Sequence, residues 1–489
     1  MFDKEIELDK YISLSHSSVP LFLLMISKKK KVAYFSDNYQ SSLKLKSQIK
    51  NIEPNMNVIL FPEFDCSFFS NVSPTKDVLH QRMKSLNLLT KVNNKVIFIC
   101  PLNSLLLNTM KKDLFLNKKL DFFNNSKNIY SGILDFLSKN SYERVEIVSS
   151  KGEYCVRGEV IDFFSPINEN PVRVLFNFED VESIYTFDSN NQKTIKEMDH
   201  YSILPASEII FNYESIKIFR ENFRRFNIMG KDEFYKSISN NVIIPGSDQF
   251  LPILYKEYDS IINYLDDFYF FFNDNYQDEI KISLKKNSQE LTYVNESLFN
   301  ESQFYAKDNL IKILQKKKIH LFTKINRTKD HITFSEQLDF YSDKKKNISN
   351  FKKIINYKNV NKVIFCYNSK SSKMKFISLL NQNSIVYKTT NNIFDIYKIQ
   401  NKYLLLNFEI DSSFKVKILE GYEVFFFSDA DLFEKITKRK IGKSSNNDNL
   451  INEFSQLNLG DYIVHSDHGI GKFNGLKKKF IGDTEFEFI

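Results

Sequence analysis

The sequence predicts a multidomain α/β chain whose last segment turns to β structure. Strand-like runs alternate with helix-like runs over residues 1–125, a continuous β texture occupies Tyr142 to Pro205, and a second strand–helix–strand pattern starts at NKVIFCY. A length of 489 residues accommodates roughly three or four domains of ~100–150 residues each.

In order, the first unit (residues 1–125) opens on an apolar helix-like run from Pro20 to Ile26, followed by Val32 to Phe35 as a buried strand. VILFPEFDCSFFS supplies a second strand, DVLHQRMKSLNLL an amphipathic helix, and KVIFICPLNSLLL a third strand running into a helix; the loop FFNNSKN closes the unit. Residues 126–207 form a separate module, with strands in ERVEIVSS, EYCVRGEVIDFF, VRVLFNF and VESIYTFD. SPINENP, rich in Pro and Asn, is a hairpin connection between the second and third of these. Residues 208–280 return to an α/β texture, and the Lys/Asn-rich stretch 281–350, lacking strong periodicity, reads as a connector. A second small α/β domain spans 351–440, with EVFFFSDADLFE as a further strand, and a polar linker spans 441–455. The remainder, 456–489, is β, with TEFEFI alternating polar and apolar residues. No repeat of solenoid spacing occurs.

Composition narrows the function classes. The formal charge of +8 and pI near 8.8 fall below the usual signature of a nucleic-acid-binding domain, and the lysine runs at 28–31, 316–318, 344–346 and 477–479 read as solvated element ends. Cys66, Cys100, Cys155 and Cys366 lie far apart with no CxxC spacing, which predicts neither a zinc site nor a disulfide framework and points to a reducing cytoplasm. VPLFLLMI is far shorter than the ~20 residues a membrane span needs, so no membrane association is expected.

The candidate chemistry is sparse. Thr437 to Ser445, TKRKIGKSS, approaches a phosphate loop, but Thr437 stands at the first glycine position and no buried strand leads into it. His465 and His468 in GDYIVHSDHGIGKFNG could suggest a metal pair, yet Gly469 and Gly471 disfavour a helix, and in a strand-turn setting a spacing of three puts the two on opposite faces. They read as turn residues bonding backbone. Arg157 and Arg173 are more informative. A hairpin closed by SPINENP with Val172 opposite Phe164 places both arginines on one face, with Val172, Val174, Phe176 and Phe178 on the other and Arg173, Asn177 and Glu179 outward. Two arginines beside an aromatic-rich strand suit an acidic protein partner; a pair of solvated charges fits the pattern equally well.

GEYCVRGEVIDFFSP…NPVRVLFNFEDVESIYTFDSNNQKTIKEMDHYSILPASE resembles the UvrA-binding module shared by UvrB and the transcription-repair coupling factors. FPEFDCSFFSNVSPTKDVLHQRM is similar to the preceding α/β domain of the coupling factors, EIDSSFKVKILEGYEVFFFSDADLF to the end of their third domain, and GDYIVHSDHGIGKFNGL to the start of their RNA-polymerase-interacting barrel. SLSHSSVPLFLL, where UvrB carries a working phosphate loop, has neither Gly nor Lys, which separates this chain from UvrB.

The resemblance implies a degenerate UvrB-like α/β domain with an inserted α+β UvrA-binding module, a second small α/β domain and an incomplete C-terminal β-barrel. It implies UvrA and the RNA polymerase β subunit as partners of a monomeric cytoplasmic chain. Arg157 and Arg173 match arginines that engage UvrA, and a further aromatic contact falls on Asn177 with Phe178 adjacent. Lys479 and Phe480 stand nearest the barrel's polymerase contact. No catalytic, cofactor or metal site is expected on this chain. In the intact family, ATP and Mg drive a motor that acts on double-stranded DNA and releases polymerase stalled at lesions, and none of that motor lies within these residues. The resemblance further implies a truncated or split product whose TEFEFI segment is left as an unpaired edge. Two rivals are a motorless adaptor for UvrA or polymerase and a fragment of a UvrB-like repair helicase.

Overall fold

The computed structural model describes residues 10–433, apart from 67–71, 93–94, 226–231, 243, 295–309, 311–313, 315, 324–330, 339–359, 391, 397 and 419–421, and then residues 460, 462–465, 469–472, 477–481 and 484–488. They fall into two compact units divided after Phe433.

In the larger unit β1 (Tyr11–Ser13), β2 (Lys31–Ser36), β3 (Asn57–Leu60) and β4 (Val96–Pro101) join three later strands in a seven-stranded sheet. Its order is His331–Thr333, β1, Ile319–Thr323, Phe268–Asn273, β2, β4, β3, and every neighbouring pair is parallel. A parallel sheet covered on both faces needs continuous apolar runs, and β4 is buried at all six of its positions. Between β1 and β2 lies α1 (Val19–Ser27), buried on every side except Met25. That suits a helix whose core cluster reaches Ile364, Leu404 and Phe426 of a second sheet as well as Phe271 of the first.

Two further helices flank the edge strand β3 from opposite faces. Helix α2 (Tyr39–Ile52) starts where Asn38 accepts a 2.9 Å bond from the Ser41 amide, and it ends at Glu53, before Pro54. Its Leu45, Ile49 and Ile52 recur at helical spacing and pack in one cluster with Val58 and Leu60. Helix α3 (Lys76–Thr90) buries Met83, Leu86 and Leu89 in the other cluster, with Ile59 and Phe61.

The chain leaves this layer and returns through a two-stranded neck, Leu120–Phe123 antiparallel to His200–Ile203. Beyond the neck is a six-stranded sheet in the order Thr194–Met198, Asp180–Phe187, Val172–Asn177, Val160–Phe163, Glu153–Arg157, Glu143–Arg144. One of its faces buries Ile161, Phe163, Val172, Val174, Phe176 and Ile184 against Ile133 and Leu137 of the helix Tyr130–Lys139.

Residues 281–350, read from sequence as a connector, are instead woven into both sheets. Ile319–Thr323 and His331–Thr333 lie in the parallel sheet, and Ser335–Gln337 pairs with Phe414–Ile418 in the second. Strands of three to five residues are too short to show periodicity among lysines and asparagines. The second sheet is mixed: Val360–Tyr367, Tyr387–Thr390, Tyr403–Asn407 and Tyr422–Ser428 run parallel, and two antiparallel pairings extend the edge.

Taken by itself, the smaller unit shows two hairpins. Tyr462–His465 pairs with Gly469–Lys472, and Lys477–Ile481 with Thr484–Phe488. The last strand, expected to present an unpaired edge, pairs on one side with the lysine-rich strand before it, and among the described residues no strand pairs with its other side. Thr437–Ser445 and His468 lie outside the described residues.

Candidate protein-docking face

With one face of the six-stranded sheet turned to its helix, the other carries the candidate side chains. The hairpin register sets Val172 opposite Phe163, not Phe164, so Arg173 pairs with Asp162, and Asp162 in turn with Cys155. Arg157 lies two residues beyond Cys155 and therefore shares that face. The expected register is one residue off, and EYCVRGEVIDFF, read as one strand, is two strands joined at Gly158–Glu159; the reversal there is what returns Arg157 to the face of Arg173.

Asp162 joins the two arginines. Its carboxylate is 1% exposed and accepts bonds from Arg173 Nε at 2.8 Å and Arg173 Nη2 at 2.9 Å, as well as from Arg157 Nη2. The third nitrogen of Arg173, Nη1, donates to the Gln192 carbonyl at 3.3 Å, and the guanidinium carbon lies 4.5 Å from the centroid of the Phe187 ring. Bonding to Asp162 pushes the Arg173 pKa up, against the opposing effect of burial. Arg173 is thus a fixed, mostly covered cation, with 19% of its side chain exposed, whereas Arg157 keeps 49%. Within the cluster two positive charges meet one negative, and Glu197, opposite Tyr185 in the next ladder, brings a further carboxylate to the same face. The half-buried apolar side chains of Val160, Leu175 and Tyr185 share the face.

Phe178 departs from its expected position on the buried face. It occupies the tip of the hairpin between Asn177 and Asp180, is 82% exposed and has φ +57, a region an aromatic L-residue enters at a cost of about 1–2 kcal/mol. The turn is held rigid from below: the Glu179 carbonyl accepts bonds from the Ile129 and Tyr130 amides, and the Glu179 carboxylate accepts from the Ser131 amide. An aromatic ring that is exposed among the described residues, on a strained and fixed tip, is a ready contact for another molecule. Arg157 and Arg173 are together on Asp162. Phe178 stands apart, five residues along from Arg173 past the end of its strand.

Sequence reasoning missed Asp162, Val160, Leu175 and Tyr185. A signal existed for the first: Asp162 is the lone charge in VIDFF, an otherwise apolar strand. In the smaller unit Lys479 is opposite Phe486 and Phe480 opposite Glu485, while His465 is opposite Gly469 at the close of its hairpin.

The turn from β1 into α1 holds hydroxyls where a phosphate loop would hold glycine amides. The Ser15 amide donates to Ser335 Oγ at 2.9 Å, the Ser412 amide donates to Ser17 Oγ at 3.0 Å, and Ser18 and Ser335 hydroxyls are bonded to each other. Beside it is a cleft of about 370 Å³, lined by Asp37, Asn273, Asp274, Asn275 and His16 among others. Its two carboxylates oppose a polyphosphate.

Residues 123–209 match the UvrB interaction domain, and residues 457–489 match the CarD-like/TRCF RID domain. The chain is 26% identical over 471 residues to the transcription-repair-coupling factor of Rickettsia bellii, covering 93% of this chain and 41% of that protein. It is 23% identical over 464 residues to that of Haemophilus influenzae, covering 89% and 39%, and 22% identical over 492 residues to that of Staphylococcus haemolyticus, covering 94% and 41%. The chain therefore corresponds to the N-terminal portion of transcription-repair coupling factor homologues, spanning about two-fifths of their length.

Proposed function

We propose that this chain is the partner-docking portion of a transcription-repair coupling factor, binding UvrA through the six-stranded module and RNA polymerase, at its β subunit, through the final β segment. The observation that carries the reading is the helix-free face of the module sheet, partly covered around Cys155 and Phe187, within the stretch that matches the UvrB interaction domain. There Arg157, Asp162 and Arg173 form one charge cluster beside Val160, Leu175 and Tyr185, and Phe178 projects from the neighbouring tip. Arg157 is the cation with donors to spare for an acceptor on UvrA, and Arg173 fixes it through their shared carboxylate. Lys479 and Phe480, in the stretch matching the CarD-like/TRCF RID domain, are the residues proposed to meet polymerase.

In this reading residues 1–125 and 208–280 form a degenerate UvrB-like α/β domain, 126–207 the UvrA-binding module, 351–440 the small α/β domain and 456–489 part of the polymerase-binding barrel. The ATP-dependent release of stalled polymerase and the action on duplex DNA belong, in the same reading, to the three-fifths of the homologues' length that this chain does not span. UvrA recruitment for nucleotide excision repair is the role left to this portion. A competition experiment tests it. Labelled UvrA bound to the chain should be displaced by UvrB, because both would present the same kind of module; a stable complex holding UvrA, UvrB and the chain together at one UvrA site would reject the proposal.

A further inference from the structure

A second surface, away from the arginine face, is built from lysines. Lys46 and Lys50 lie one helical turn apart on α2, and Lys84 lies on α3. These helices flank the same edge strand, β3, from its two faces. Lys151 comes from the module. Its neighbour Gly152 presses against α3 so closely that a Cβ there would fall 2.7 Å from His80 Nε2, one turn before Lys84. Three separate segments thus bring four ammonium groups to one rim, each partly exposed.

Nearby lysines are neutralised: Lys44 pairs with Asp411 and Lys76 with Glu143. Among the described residues the four on the rim have no carboxylate at salt-bridge distance; Lys50 donates to the Pro54 carbonyl, and Asp77 and Glu169 act on Lys151 only from further off. Burial, then Lys84 and Lys50, hold the Lys46 pKa down, and burial followed by Lys84 does the same at Lys151. Partly desolvated cations that repel one another gain when an anion joins them.

We propose that Lys46, Lys50, Lys84 and Lys151 form a contact site for the phosphate backbone of duplex DNA, distinct from the protein-docking face. Lysine supplies point charges without planar base recognition, which suits sequence-independent backbone contact. A coupling factor portion that touches DNA itself would hold UvrA close to the duplex it is to inspect.

The test is fluorescence anisotropy of a labelled duplex with the full chain across a salt series. Four phosphate contacts give a slope of log K against log salt of about −3.6. The triple variant Lys46→Gln, Lys50→Gln, Lys84→Gln should lose about 2.7 of that slope and roughly 500-fold in affinity at 0.1 M salt, while the corresponding Lys→Arg triple keeps both. Capture of UvrA by the Gln triple should equal that of the unaltered chain, which separates a failure here from a failure of the docking reading. A slope unchanged in the Gln triple overturns the proposal and leaves these lysines as guards of the β3 edge. Displacement of the duplex by polyglutamate at equal charge concentration would instead identify an acidic protein as the partner and overturn it too.

Discussion

Replacing Asp162 with Asn tests whether the arginine face is a built structure or a pair of surface charges. The carboxylate is 1% exposed and accepts one bond from Arg157 and two from Arg173. Asn keeps the volume, removes the charge and turns an amide donor toward a guanidinium that has only donors to offer. Arg157, half exposed, contributes at most about 1 kcal/mol to the cluster. The bidentate bond to the covered Arg173 adds about 1.5–3 kcal/mol, less than the cost of stranding a fully buried ion because that side chain keeps some water. A loss of about 2–3 kcal/mol is therefore expected, confined to the module. Amide hydrogen exchange reads this directly in the whole chain, without assuming that several domains unfold together. Amides of Val160–Phe163 and Val172–Leu175 should exchange roughly 30- to 150-fold faster, with β2 and β4 unaltered. Unchanged exchange in those two strands would refute the argument that Asp162 organises the face.

Phe178→Gly should slow exchange around the hairpin tip, a gain of about 0.5–1 kcal/mol once the extra freedom of glycine in the unfolded chain offsets part of the relief at φ +57; the same variant should bind UvrA more weakly, so stability and binding move in opposite directions. Gly152→Ala should destabilise by about 2 kcal/mol or more by thermal denaturation, since φ is +81 and the new Cβ meets His80, and the loss should shrink in a His80→Ala background. Burial, with Lys151 second, lowers the His80 pKa to about 4. The unfolded chain therefore binds a proton below pH 6.5 that the folded chain refuses: stability is whole above 6.5 and falls toward 4 by up to about 1.4 kcal/mol per pH unit. His80→Gln should remove that part of the slope, as measured by denaturation midpoints across the window.

The layers that pattern could reveal were those with long apolar runs. VIFIC and VIFCY are buried in their sheets because a covered parallel strand has no polar face, and the same rule exposes them in sequence. Ile319–Thr323 and His331–Thr333 escaped because their pairing partners are far away in sequence and their own length is below one period of evidence. On the arginine face, alternation along a single strand put Arg157 beside Arg173, but the register is one residue off and the two share a face only because the chain reverses at Gly158–Glu159, a turn that alternation alone does not reveal. The carboxylate that holds them was invisible to a search for basic and aromatic residues. Phe178 was assigned inward by counting twos along a strand, and the chain turns at that residue, where counting stops.

Calorimetric titration of UvrA with the whole chain, comparing the unaltered sequence with Arg157→Ala, Phe178→Ala and the double variant, is the most direct test of the central claim. Both side chains are exposed enough to remove without disturbing the fold. The account predicts at least about a tenfold loss of affinity for each single variant, a larger loss for the pair, and hydrogen exchange in the module sheet changed by no more than about fivefold. Full affinity in the double variant, with the sheet intact, would contradict it.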